Sequence, residues 1–280
     1  MTRADVLLSL LTYPDPTPDE AVEAAIATAA RLGARVTASA YEVEVSPPAS
    51  PTANMILNFP AMAAEQTRLS RDKASALLSL SEERGRACGV TVECFRTRVL
   101  PGCAPEAAAE QARLHGLSLV PVRPQDGSAA LAEALIFGSG RPVLVLPSGA
   151  SGALTSLDRA VVAWDGSRAA ARALADALPL LSSCREVTVV TVAGEKALPA
   201  RADPEAAVAA LGRWGVPAEA ERSEARGRSA GEALSAFVTN RGADLLVMGG
   251  YGHSRLRDFF LGGATRTVLA QPPAPALLSH

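Results

Sequence analysis

The chain has 280 residues, enough for two domains at the usual ~150 residues each. Its composition is 48% hydrophobic and 20% charged, which excludes a globally disordered chain, because such chains lack the apolar side chains that build a core. Lys and Arg number 27 against 29 Asp and Glu, a net charge of −2. That argues against a nucleic-acid binder working through bulk charge, and 4% aromatics argue against base-stacking platforms.

The first predicted element is the apolar run Val6 to Leu11, closed by Tyr13-Pro14-Asp15-Pro16. It is too short for a signal-peptide core with its cleavage site, or for a membrane span, and reads as a buried strand. No later window reaches eighteen uninterrupted apolar residues, so a soluble, cytoplasmic protein is expected, with neither membrane nor nucleic acid as a partner. An alanine-rich helical segment (Asp19 to Leu32) and a β-branched strand (Ala34 to Ala40) follow. Val45 to Pro60 carries four prolines and cannot hold a helix. It reads as a surface loop, with a lid or a partner-docking segment as the alternative.

The pattern then repeats. Ala160 to Trp164, Arg168 to Leu181 and Arg185 to Val192 restate the first strand, helix and strand. Arg84 to Glu93 parallels Leu211 to Glu219, and Pro105 to Val120 parallels Gly231 to Leu246 at an ungapped offset of 126 residues. Strands alternating with helices at this spacing predict parallel sheets covered on both faces, with right-handed crossovers. The small, flexible-looking segment Pro147 to Ala153 separates the halves, giving expected domains at 1–148 and 154–280. Cys88, Cys94, Cys103 and Cys184 form no C-x-x-C pair and read as structural thiols in a reducing compartment.

The chemistry concentrates after the strand Asp244 to Met248. There Gly249, Gly252 and Gly262 stand at the spacing G-x2-G-x9-G, and Gly263 and Thr265 open a helix. Glycines permit close backbone approach, and a helix start supplies free N–H groups, a combination suited to an anion. The spacing is neither a Walker loop nor G-x-G-x-x-G. Together with Val161 to Ser167, it resembles the universal stress protein family, strongly over the second half and weakly over the first through Leu135 to Pro147.

That resemblance implies two tandem doubly wound α/β domains of the Rossmann-like, adenine nucleotide alpha hydrolase type. Each would have a parallel sheet of about five strands, and the two would pair as an intrachain pseudo-dimer through the edges Val143 to Leu146 and Ala276 to Ser279. It also implies an adenine nucleotide, ATP or AMP, with Mg accompanying ATP. Asp165 would lie near base and ribose, Val192 would offer a backbone contact to the base, and Gly249, Gly252, Gly262 and Thr265 would hold phosphate. Gly263 departs from the Ser or Thr expected there, removing a hydroxyl ligand while leaving the backbone donors. Each residue also has a plainer reading: Asp165 as a helix cap, the glycines as a tight turn, Thr265 as an ordinary first-turn residue.

His253 reads as a solvent-exposed or locally bonded residue. Arg255, Arg257 and Arg266 read as a solvated face with Asp258, and Trp164 and Trp214 as core or interface residues. In the first half, Val122-Arg123-Pro124-Gln125 replaces the glycine loop, and Gly138 to Arg141 runs almost directly into the strand at Pro142, so the phosphate-facing helix is expected to be missing. One binding site per chain, in the second half, is the expectation. No catalytic constellation emerges, so the activity expected is binding, with at most slow ATP hydrolysis. The alternative is a nucleotide-free interaction protein of the same fold acting through protein partners, and a homodimer of the whole chain is compatible with either.

Overall fold

The computed structural model describes residues 5–46, 58–149, 152–193, 202–250 and 263–280. The first half runs β1 (Asp5–Leu11), α1 (Asp19–Arg31), β2 (Arg35–Val43), α2 (Phe59–Cys88), β3 (Val92–Val99), α3 (Ala104–Ala112), β4 (Leu117–Pro121), α4 (Ser128–Gly138) and β5 (Val143–Leu146). The second runs β6 (Arg159–Ala163), α5 (Arg168–Asp176), α6 (Leu178–Leu181), β7 (Glu186–Ala193), α7 (Pro204–Arg213), β8 (Glu219–Glu224), α8 (Ala230–Arg241), β9 (Leu245–Gly249), α9 (Gly263–Ala270) and β10 (Ala276–Ser279). All strands among the described residues join one ten-stranded sheet, in the order β3-β2-β1-β4-β5-β10-β9-β6-β7-β8. Pairing is parallel within each half. Where the halves meet, β5 and β10 pair antiparallel, Leu144 opposite Leu277.

Continuous apolar runs such as Val6 to Leu10 are buried on both faces because helices cover both sides. Alternation along β1 sends Val6, Leu8 and Leu10 into one core and Leu7 and Leu11 into the other, and each core draws residues from both halves. Residues entering the second half join the packing too: Leu154 and Leu157 are buried, and Leu154 N donates to Thr28 Oγ1 at 3.0 Å. Helix starts follow capping chemistry. Ser229 and Glu232 form a capping box on α8, and Gly242, at φ 56°, closes that helix in the left-handed region.

The ladder corrects two sequence expectations. Asp5 O accepts from Gly116 N where Arg159 O accepts from Asp244 N, and Pro142 O accepts from Ser118 N where Pro275 O accepts from Leu246 N. The strands β4 and β9 are therefore offset by 128 residues (116 to 244), whereas the preceding helices start 126 apart (104 and 230). The repeat is not ungapped, because two extra residues lie between the start of α8 and β9. In addition, the first half does not lack the helix before its last strand. Ser128–Gly138 occupies that position. What is short is the connection before it: residues 122–127 stand where the second half has 250–262.

Candidate nucleotide site

In the second half, β6 lies between β9 and β7, so the chain leaves it in opposite directions across the sheet. Ligands of open α/β sheets bind at such a switch point, beyond the carboxyl ends of the strands. A cavity of about 350 Å³ lies there, lined by Asp165, Val192, Gly249, Gly263 and Thr265 among others. Five of the seven residues singled out in the sequence thus come together. Gly252 and Gly262 lie outside the described residues, as do His253, Arg255, Arg257 and Asp258, and most of the 45–60 segment (47–57). The volume falls within the ~300–1,000 Å³ usual for small-molecule pockets.

Each wall has a local cause. Asp165 is not the helix cap. Its Oδ1 accepts from Ser167 N at 2.9 Å, closing the turn in which Gly166 takes φ 69°, and Ser167 caps α5 by accepting from Ala170 N at 3.1 Å. The β6 ladder continues past its end, with Trp164 N donating to Val190 O at 2.8 Å, and this sets Trp164 and Asp165 beside Val190 to Val192. Thr191 Oγ1, 2.9 Å from Trp164 O and 2.8 Å from Ala202 O, ties that rim together.

The glycines have different jobs. A Cβ on Gly249 would lie 2.4 Å from Ala170 N and 2.7 Å from the Ala169 carbonyl carbon, so α5 can approach the strand only because the position is glycine. Gly263 has open space where its Cβ would be. Thr265 is buried in the first turn of α9, against the cavity. Among the described lining residues Asp165 carries the only charge, so phosphate there would be met by backbone N–H groups and the α9 terminus.

Sequence reasoning missed Trp164, Thr191, Ala230, Leu234 and Met248 as cavity walls. Ala230 and Leu234 stand four apart at the start of α8, a spacing that puts both on one helix face. Trp164 is a cavity wall packed against the core, while Trp214 is about half exposed at the end of α7. The start of the glycine loop is also linked to the first half through His280. Gly250 N donates to Ser279 O at 2.8 Å, His280 Nδ1 lies 3.0 Å from Gly250 O, and the His280 ring meets the Phe137 ring edge-on.

Residues 156–280 match the universal stress protein family. The second half is a universal stress protein domain. Both halves share the fold with solved structures. One is a universal stress protein from Archaeoglobus fulgidus DSM 4304, at 16% identity and TM-score 0.70 over 100% of this chain and 99% of that one. Another is a functionally unknown protein from Pseudomonas aeruginosa PAO1, at 14% identity and TM-score 0.55 over 99% and 92%. A search of the curated proteins finds no sequence match.

Within that fold the first half carries different residues at the positions that line the cavity. The ladder offsets (Asp5 to Arg159, and Val36 to Val187) place Leu11 at the position of Asp165 and Tyr41 at that of Val192. Leu11 and Tyr41 are register partners, both buried, and the Tyr41 hydroxyl donates to Gln111 Oε1 at 3.1 Å. By the same register, Pro121 and Val122 stand at the positions of Gly249 and Gly250, and Pro121 offers no N–H. A fully buried aromatic side chain thus stands at the position of the cavity wall Val192.

All four cysteines are free. Burial, with repulsion from Glu82, pushes the Cys94 thiol up to about 11. Burial, with Asp244 and Asp158, does the same for Cys184. Neither is a ready thiolate at neutral pH. Among the described residues no group of three or more His, Cys, Asp or Glu could hold a metal, and no helix is long and apolar enough to cross a membrane.

Proposed function

We propose that the chain is a cytoplasmic stress-response protein that binds one adenine nucleotide, ATP or AMP, in its second half. Its domains divide at 1–148 and 154–280. The observation that carries this reading is the convergence of Asp165, Val192, Gly249, Gly263 and Thr265 on one cavity at the strand switch point. Asp165 and the Val192 backbone face the base and ribose, and the α9 terminus with the glycine loop, Gly252 and Gly262 included, grips the phosphates. ATP would bring Mg, held mainly by its own phosphates. The activity we propose is binding, with at most slow ATP hydrolysis; Asp165 is the one charged group among the described lining residues.

The test is to release and identify nucleotide from purified protein by HPLC and mass spectrometry, with ATP and AMP titrations by calorimetry. Bound adenine nucleotide, lost in Gly252→Val, supports the reading. No heat at millimolar ATP would refute it. A second reading, a nucleotide-free interaction protein working through protein partners, draws support from Gly263 in place of a hydroxyl residue and from the buried Tyr41 of the first half. Binding of neither nucleotide, with the fold intact, would favour it.

A further inference from the structure

The first half holds a buried acid that the nucleotide site does not use. Glu42, near the end of β2, is 3% exposed in its side chain, and three arginines surround it. Arg71, from α2, donates from Nε to Oε1 at 3.1 Å. Arg96 and Arg98, two residues apart on β3 and so on one face, stand off at 3.7 Å (Nη1 to Oε2) and 3.9 Å (Nε to Oε1). Those two distances are ion-pair range but too long for hydrogen bonds. Glu42 Oε2 has no hydrogen-bond partner among the described residues.

One carboxylate neutralises one guanidinium, so two positive charges remain uncompensated in the cluster. The geometry also leaves donors free. Arg96 is held on its far side by Nη2 donating to Ser75 Oγ at 2.9 Å. Arg71 and Arg98 meet Glu42 through Nε, and no described residue accepts from their Nη groups, although the two side chains are 51% and 73% exposed. A guanidinium that faces its carboxylate through Nε, hydrogen-bonded in Arg71 and at ion-pair distance in Arg98, keeps its two Nη groups as an outward fork, the geometry that grips phosphate in bidentate fashion. Glu42 thus positions the arginines from below, and the excess charge of two matches a dianion.

We propose that the Arg71, Arg96 and Arg98 cluster over Glu42 is a second binding site, specific for the dianionic phosphoryl group of a small molecule. It is separate from the cavity of the second half and does not depend on nucleotide binding there. The test is calorimetric titration of the full chain with pyrophosphate at low salt, repeated on Arg71→Gln, Arg98→Gln and Arg98→Lys, with thermal melts to verify folding. These side chains are half exposed or more, so the variants should fold.

The expected result is saturable pyrophosphate binding, weakened roughly tenfold or more by each Gln variant and almost as much by Arg98→Lys, which keeps the charge but loses the fork. Pyrophosphate binding should persist at wild-type affinity in Gly252→Val, the variant directed at the second-half cavity. Three outcomes would overturn the proposal: no binding at millimolar pyrophosphate, full affinity in the Gln variants, or full affinity in Arg98→Lys, which would mean diffuse charge attraction. A phosphoserine peptide that bound more tightly than pyrophosphate would overturn the small-molecule class.

Discussion

Gly249→Ala tests whether the carboxyl end of β9 is set by helix packing. The new Cβ would lie 2.4 Å from Ala170 N, 2.7 Å from the Ala169 carbonyl carbon and 3.0 Å from the Ala169 Cβ. Ordinary contact requires about 3.5 Å, so β9 and α5 must separate by roughly 1 Å. The atoms met are mostly backbone in the first turn of α5, anchored by the Ser167 cap and by the Asp165 turn, and cannot rotate aside. Overpacking typically costs 1–3 kcal/mol, and a rigid neighbour puts this substitution near about 3 kcal/mol. At ~2–4 °C per kcal/mol for large domains, Tm should fall by roughly 6–12 °C. Urea unfolding gives the free energy directly, and the same separation should loosen the cavity and weaken nucleotide binding. A stability change below about 0.5 kcal/mol, the usual range of neutral surface changes, would refute the packing argument. Lost binding at full stability would instead make Gly249 a ligand-contact glycine.

The remaining predictions concern the rest of the frame. Gly263→Ser places its side chain in open space at the α9 terminus and should leave Tm nearly unchanged. Calorimetry should show ATP affinity rising about tenfold, for one hydrogen bond to a charged group worth roughly 1.5 kcal/mol, and unchanged affinity would place the phosphates elsewhere. Tyr41→Ala should cost about 3–5 kcal/mol in urea unfolding, since it empties a fully buried aromatic site; a loss below about 1 kcal/mol would show that Tyr41 is not packed as described.

The Asp244 carboxyl sits below its ordinary value. Burial pushes it up, but hydrogen bonds from Ser156 Oγ and from the Arg159 and Asp158 N–H groups outweigh that. Its contribution is therefore complete above the unfolded value of about 3.9 and is lost as pH falls through the lower folded one. Urea midpoints measured at about pH 5 and about pH 3 should converge in Asp244→Asn relative to wild type; an unchanged acid limb would remove Asp244 from the account.

Much of this was legible in the residues. Short apolar runs alternating with alanine-rich segments predict a parallel α/β fold because a strand covered on both faces must be apolar throughout. The expected sheet-edge pairing of Val143 to Leu146 with Ala276 to Ser279 is the β5–β10 junction. Gly249 and Gly263 were nameable in advance because glycines at a strand end and a helix start mark the chain locally, whereas Asp165, Val192 and Thr265 were named through the family resemblance. Less legible were Trp164, Thr191 and Leu234, whose alternation and helical spacing look the same whether they face a core or a cavity.

The sequence by itself determined the fold class, the duplication and the position of the glycine-rich turn, since each depends on local pattern. The sequence also showed that the first copy lacks the glycine loop; only the tertiary structure decided which residues of the two copies are equivalent. The two-residue slip before β9 is visible only in the ladder hydrogen bonds, and the pairing of the first two strands of each half sets Leu11 and Tyr41 at the places of Asp165 and Val192. The same holds for Gly249, whose missing Cβ answers to a helix eighty residues earlier in the chain, and for the three arginines gathered by one buried carboxylate. Contacts of that kind join residues far apart in sequence, and no local periodicity records them.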